Sequence, residues 1–192
     1  MGCGRSSLGE RLLWSCQGGG LDLARDFLRV RQQDSLRTMT SLRQLVTPEC
    51  VILQLEEVEP EQVVLEMINH LAQIGRIPSG ECYRYGNAVL ERESHVGTGL
   101  GSGVAIPHGR ISGLKDTIAV FGRSTEGVDF ESPDNAPSHY ICLLLVPEDK
   151  AAQHLQTLSE LAKVFSQSGL RQRLEEATTA EAICEIFHRA SP

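Results

Sequence analysis

Val104-Ala105-Ile106-Pro107-His108-Gly109-Arg110 is followed, after the short link 111–116, by Thr117-Ile118-Ala119-Val120-Phe121-Gly122-Arg123. Each segment holds a run of apolar, mostly β-branched side chains bounded by Gly, Pro or Asp, which is the pattern of a strand. The first strand is very short, Val104–Ile106, and Pro107-His108-Gly109 is expected to end it. Parallel neighbours need a crossover of about a dozen residues, usually a helix. Nothing of that size fits around 104–123, so part of the sheet is expected to be antiparallel. A further strong strand is read at His139–Val146, after the turn-rich stretch Ser132-Pro133-Asp134-Asn135-Ala136-Pro137. A weaker one is read at Cys50–Leu55.

Helical spacing fills the intervals. From Pro60, the residues Val63, Val64, Met67, Ile68, Leu71 and Ile74 make one apolar face, closed by Gly75 and Pro78. Ser79–Ser94 is a second helix candidate, weakened by Gly86, with Cys82, Tyr85, Val89 and Leu90 on one side. After Pro147 a long helix is expected through Phe165, with Leu155, Leu158, Leu161, Ala162 and Phe165 in a stripe. Two shorter helices follow; Thr178 with Glu181 reads as a capping box for the last, which buries Ile183, Ile186 and Phe187. Strands interspersed with helices predict an α/β fold, a mixed sheet with helices on both faces.

The 192 residues divide into an N-terminal extension, 1–39, and one domain, 40–192. The extension is arginine-rich, carries Gly18-Gly19-Gly20 and is expected to be poorly ordered. Its start, Met1-Gly2-Cys3-Gly4-Arg5-Ser6, fits an acylation pattern, although a plain leader is the preferred interpretation. Deleting residues 1–38 is expected to leave the melting temperature nearly unchanged, and Met39 is a candidate start. The formal net charge is −7, which argues against a nucleic-acid partner. No apolar run is long enough for membrane insertion, so a cytoplasmic protein is expected. The six cysteines show no Cys-x-x-Cys pair, and Cys50, Cys142 and Cys184 read as small buried hydrophobes.

Chemistry concentrates between Arg92 and Arg110. Gly97, Thr98, Gly99, Gly101, Ser102 and Gly103 form a glycine-dense loop whose amides could cradle a phosphate. His108 follows Pro107 at a strand end and would be held rigidly. Imidazole has a pKa near neutrality, so its unprotonated nitrogen can attack a phosphoryl group. Arg92, near a helix end, would complement the phosphoryl oxygens. A metal site built from His95, His108 and His154 is the competing arrangement, but the ligand spacing is unusual for zinc. No metal and no cofactor is expected. His70, His139 and His188 read as surface residues, His95 as a loop histidine, and Arg110 as a charged neighbour of the site.

Arg92-Glu93 with Gly97-Thr98-Gly99-Leu100-Gly101-Ser102-Gly103-Val104-Ala105-Ile106-Pro107-His108-Gly109-Arg110 resembles the signature of type-2 enzyme IIA domains of the bacterial phosphoenolpyruvate-dependent phosphotransferase system, the fructose/mannitol type. Gly127-Val128-Asp129-Phe130, Asp134-Asn135, Leu143-Leu144-Leu145-Val146-Pro147 and Gln153-His154-Leu155 extend the similarity, in order, over roughly 40–190. Among stand-alone domains it looks most like the nitrogen-regulatory branch, with Ser102 where asparagine is expected. The resemblance implies a three-layer α/β/α sandwich. It implies that His108 is the phosphoryl-accepting nucleophile, that His154 hydrogen-bonds the phosphoryl group and that Arg92 stabilises it. It also implies an HPr-like histidine phosphocarrier protein as donor, with regulatory target proteins or a IIB component as later partners. Regulation is the favoured role, and a sugar-specific IIA passing phosphate to IIB is the alternative.

Overall fold

The computed structural model describes residues 42–191; the extension 1–39 and its acylation pattern lie outside them. In chain order the elements are α1 (Leu42–Leu45), a 3-10 turn (Pro48–Cys50), β1 (Val51–Ile52), α2 (Pro60–Gln73), a second 3-10 turn (Ser79–Glu81), α3 (Cys82–Glu93), β2 (Gly99–Gly101), β3 (Val104–Ala105), β4 (His108–Ile111), β5 (Ile118–Val128), β6 (Ser138–Pro147), α4 (Ala151–Phe165), α5 (Leu170–Glu176) and α6 (Ala180–Ala190).

The six strands form one mixed sheet in the order β1-β5-β6-β3-β2, with β4 also paired to β6. β5 runs antiparallel to β6, whereas β3 and β4 both run parallel to it. The short link after β4 therefore does join strands of opposite direction. They are not neighbours, because β6 lies between them. His108 opens a strand of its own rather than ending one: His108–Ile111 pairs with Leu144–Pro147.

Alternation along β6 sorts the core into two layers. Tyr140, Cys142, Leu144 and Val146 pack with residues of α1, α4, α5 and α6, including Leu161, Phe165, Leu174 and Phe187. Ile141, Leu143 and Leu145 pack with the α2 and α3 residues Val63, Val64, Met67, Ile68, Leu71, Tyr85 and Val89. Both faces of the sheet are thus covered, giving the three-layer α/β/α sandwich. Cys50, Cys142 and Cys184 are free and buried.

Several local expectations shift. Of Cys50–Leu55 only Val51–Ile52 is a strand, because the Arg123 Nε donates to the Leu53 carbonyl (3.1 Å) just past its end. Gly86 does not break α3; a Cβ there would lie 2.9 Å from Leu65 Cδ2, so its absence lets α2 and α3 approach. In α4 the buried face is His154, Thr157, Leu161, Val164 and Phe165, and Leu155 is 67% exposed. The spacing of that face turns His154 inward and leaves Leu155 about 100° around the helix. The cap of α6 is Thr179, not Thr178: its hydroxyl accepts from the Ala182 amide, 3.2 Å. Ser102 has φ +55°, a left-handed conformation that asparagine adopts more readily than serine. That is the physical reason asparagine suits this position.

Candidate functional site

His108 is held at the start of β4 by its ring. Nδ1 lies 2.8 Å from the Ile106 carbonyl, and a carbonyl can only accept, so Nδ1 carries the proton and Nε2 keeps the lone pair. In-register pairing with Leu144 puts His108 on the sheet face covered by α4. There it meets His154, in the first turn of α4, with ring centroids 5.0 Å apart. Arg92 comes from the last turn of α3, where its Nη1 donates to the Val96 carbonyl at 2.7 Å. The three residues thus arrive from a strand, the start of one helix and the end of another. They line one open cavity of about 420 Å3, together with Ala88, Glu91, His95 and Arg110.

His108 is 9% exposed and His154 6%. Burial, with a smaller contribution from the nearby Arg92 and Arg110 charges, pushes the His108 pKa below its usual value despite the opposing Ile106 hydrogen bond. Burial pushes His154 down to about 4, helped by His108, Arg110 and Arg92. Both rings are therefore neutral near pH 7. Both nitrogens of His154 are buried without a hydrogen-bond partner among the described residues. An unsatisfied buried polar group costs about 1–3 kcal/mol, so the unpaired His154 ring is held at a cost in stability. The stability consequence has a definite sign. Between about pH 6.5 and about pH 4 the unfolded chain binds a proton that folded His154 refuses, so stability falls as pH drops through that window. Relative to pH 7, wild-type protein at pH 4 is expected to lose about 2–3 kcal/mol more than His154→Leu in urea unfolding.

The glycine loop does not reach this cavity, contrary to expectation. Gly97 and Gly99 instead pass against the 130–132 segment: a Cβ on Gly97 would sit 2.6 Å from the Phe130 carbonyl, and one on Gly99 2.7 Å from Ser132 Cα. Three of the loop amides are also occupied. Thr98 N donates to Glu93 Oε1 (2.8 Å), Gly99 N to the Phe130 carbonyl (2.9 Å) and Ser102 N to Asp134 Oδ2 (2.6 Å). Two of those acceptors are carboxylates, which disfavour an anion there. The glycines serve close packing; Gly101 and Gly103, at φ +82° and +78°, shape the β2–β3 turn. Glu93 anchors this loop rather than Arg92.

His95 was not expected in the cavity. The signal was present in the spacing 88, 91, 92, 95, which places those residues on one face as α3 ends. Gly109 is the other overlooked element. A Cβ on it would lie 2.9 Å from the Val89 amide nitrogen and 3.0 Å from Ala88 C, so β4 and α3 touch backbone to backbone. Gly109→Ala is expected to destabilise the protein by about 1–3 kcal/mol and to displace Arg92 from His108; thermal melts of the purified variant check the first effect. No group of three or more His, Cys, Asp or Glu side chains among the described residues is arranged to hold a metal ion.

The family model for the phosphoenolpyruvate-dependent sugar phosphotransferase system, EIIA 2, matches residues 44–190. The chain belongs to this family. Within it, two kinds of relative stand at similar distance. The nitrogen regulatory protein of Pseudomonas aeruginosa is 32% identical over 77% of this chain and 95% of its own length. The fructose-specific EIIABC component of Bacillus subtilis is 34% identical over 77% of this chain, which spans only 23% of that longer protein. In three dimensions the EIIA 2 domain resembles the nitrogen regulatory protein IIA-Ntr from Neisseria meningitidis, with TM-score 0.68, 33% identity and coverage of 76% and 98% of the two chains. The IIA mannitol structure from Escherichia coli shares the fold at TM-score 0.61 and 22% identity, over 73% of this chain and 97% of that one. No helix among the described residues is long and apolar enough to cross a membrane.

Proposed function

We propose that this EIIA 2 domain accepts a phosphoryl group on Nε2 of His108 from an HPr-like histidine phosphocarrier protein, and works mainly as a nitrogen-regulatory switch. The observation that carries the proposal is the unpartnered, neutral His154 facing His108 across 5.0 Å. The Nε2 lone pair attacks phosphorus, an Nε2–P bond forms, and the P–N bond to the donor's histidine breaks with its electron pair returning to that ring. Positive charge developing on His108 is stabilised through Nδ1–H and the Ile106 carbonyl. The phosphoryl oxygens meet Arg92, Arg110 and one N–H of His154, donors already in place where the charge develops.

Phosphorylation adds up to two negative charges to a rim holding Arg92 and Arg110. A partner presenting carboxylates there is released and one presenting lysine or arginine is favoured. Coupling of about 1.4 kcal/mol changes binding tenfold. Similarity to nitrogen regulatory proteins over nearly their whole length supports the regulatory role. The equal similarity to a fructose-specific EIIABC component favours the second reading, a sugar-specific IIA that passes phosphate to a IIB component. The test is to phosphorylate the protein with enzyme I, phosphocarrier and phosphoenolpyruvate, then compare partners captured by the two forms. Different partner sets support the switch. Identical sets, with rapid phosphoryl transfer to a sugar-specific IIB, overturn it.

A further inference from the structure

A second cavity, of about 710 Å3, shares no lining residue with the His108 site. Its wall is built from the end of the β2–β3 turn (Ser102, Gly103), the middle of β5 (Arg123, Ser124, Thr125), the start of β6 (His139, Tyr140) and one face of α5 (Arg171, Glu175). The volume is that of a small-molecule site.

The polar groups here are fixed and only partly used. Arg123 is clamped: Nε donates to Leu53 O (3.1 Å), and Nη1 to Leu174 O (2.9 Å), Glu175 O (3.3 Å) and Ala177 O (2.9 Å). Those four bonds immobilise the guanidinium and leave Nη2 without an acceptor among the described residues. Ser124 is 2% exposed; its hydroxyl accepts from Gly127 N (3.0 Å), and its own proton has no acceptor among the described residues. His139 directs Nδ1–H to the Ser124 carbonyl (2.9 Å), so Nε2 is left over. The Arg171 side chain has no hydrogen-bond partner among the described residues. Against these stands one lining carboxylate, the exposed Glu175. In a protein of net charge −7 the lining holds two guanidinium groups against one carboxylate, with Arg123 Nη2 fixed as a charged N–H donor of the kind that binds oxyanions.

We infer that this cavity is a ligand site, separate from His108, for a small hydroxyl-bearing oxyanion, either a phosphate monoester or a carboxylate. The anionic head takes Arg123 Nη2, Arg171 and the Ser124 hydroxyl; the ligand's hydroxyls take His139 Nε2 and Glu175. The site is joined to His108 by continuous backbone. Gly103 O accepts from the His139 and Tyr140 amides (2.8 and 3.0 Å), and Val104–Pro107 runs from it directly to His108.

The experiment titrates the full-length 15N-labelled protein with inorganic phosphate, glycerol 3-phosphate and malate, following amide shifts. Saturable shifts at Ser102, Gly103, Thr125 and Arg171 are expected with at least one probe, and which probe binds tighter separates phosphate from carboxylate. Binding should weaken about tenfold or more in Arg171→Ala, at an exposed position, and in His139→Ala, which gives up one hydrogen bond to the Ser124 carbonyl, and persist in His108→Gln. Shifts confined to Arg92, His108 and Arg110, shifts undiminished in both variants, or no saturable shift with any probe would each overturn the assignment. None of these outcomes depends on whether His108 is phosphorylated.

Discussion

His108→Gln takes up no phosphoryl group from enzyme I, phosphocarrier and phosphoenolpyruvate, while its circular dichroism remains that of the wild type. The expectation of total loss follows from how the ring is held. Nε2 is the one histidine nitrogen in the cavity that combines a lone pair, enforced by the Nδ1–H bond to Ile106, with a position on a rigid strand. Glutamine has an amide nitrogen whose electrons are delocalised and which cannot form a stable P–N bond. The expectation of an intact fold follows from the two cores, neither of which includes His108. Glutamine also approximates the lost volume and can donate to the Ile106 carbonyl, so the cost stays near the roughly 1 kcal/mol of one hydrogen bond. Undiminished labelling of the variant, measured by mass spectrometry of the intact protein, would sink the assignment of the nucleophile.

The sheet was legible in the sequence where local spacing forces a topological choice. The link 111–116 is too short for a crossover, so β4 and β5 run in opposite directions, one parallel and one antiparallel to β6. Which strand lies between β4 and β5 was not legible, because the position of β6 depends on pairing partners distant in the chain. The helices were legible wherever one face is wholly apolar, as in α2. In α4 the apolar pattern was misleading: Leu155 is exposed while His154 and Thr157 are buried. Polar residues took the inward positions, and hydrophobic periodicity cannot register that.

The site itself divides in the same way. His108, Arg92 and His154 are brought into one cavity by β4, α3 and α4, although only the resemblance to a family had given His154 a part in phosphoryl chemistry with the other two. The glycine loop invited a false inference because glycine permits both anion binding and close packing, and a sequence does not distinguish them. The deciding facts were the Glu93 and Asp134 carboxylates that take its amides. They come from a helix end and a distant turn, so no local pattern announces them. Arg110, read as a charged neighbour of the site, does line the cavity, and so does His95, which was read as a loop histidine. For Arg110 the period-two alternation of β4 places it on the side of His108.

Removing Arg92 or His154 should slow phosphoryl acceptance without moving it from His108. A preorganised donor aimed at developing charge is worth roughly 3–4 kcal/mol of barrier, about a hundred-fold or more in rate. The two residues should differ in what else they change. His154 has no hydrogen bond to lose in the unphosphorylated protein, so His154→Ala trades an unsatisfied polar group for a small cavity and leaves stability nearly constant. Its defect is therefore almost wholly kinetic, and it should also shorten the lifetime of the phosphorylated form. Arg92 bonds the Val96 carbonyl at 2.7 Å and closes the turn after α3, so Arg92→Ala adds local loosening to the loss of charge. Arg92→Lys separates those effects: it restores the charge but not the planar fork, and should recover part of the rate. Single-turnover transfer from the phosphorylated carrier measures all three variants. Wild-type rates in both alanine variants would mean that the phosphoryl group meets neither side chain, and that other residues of the cavity, such as Arg110 and His95, bear its charge.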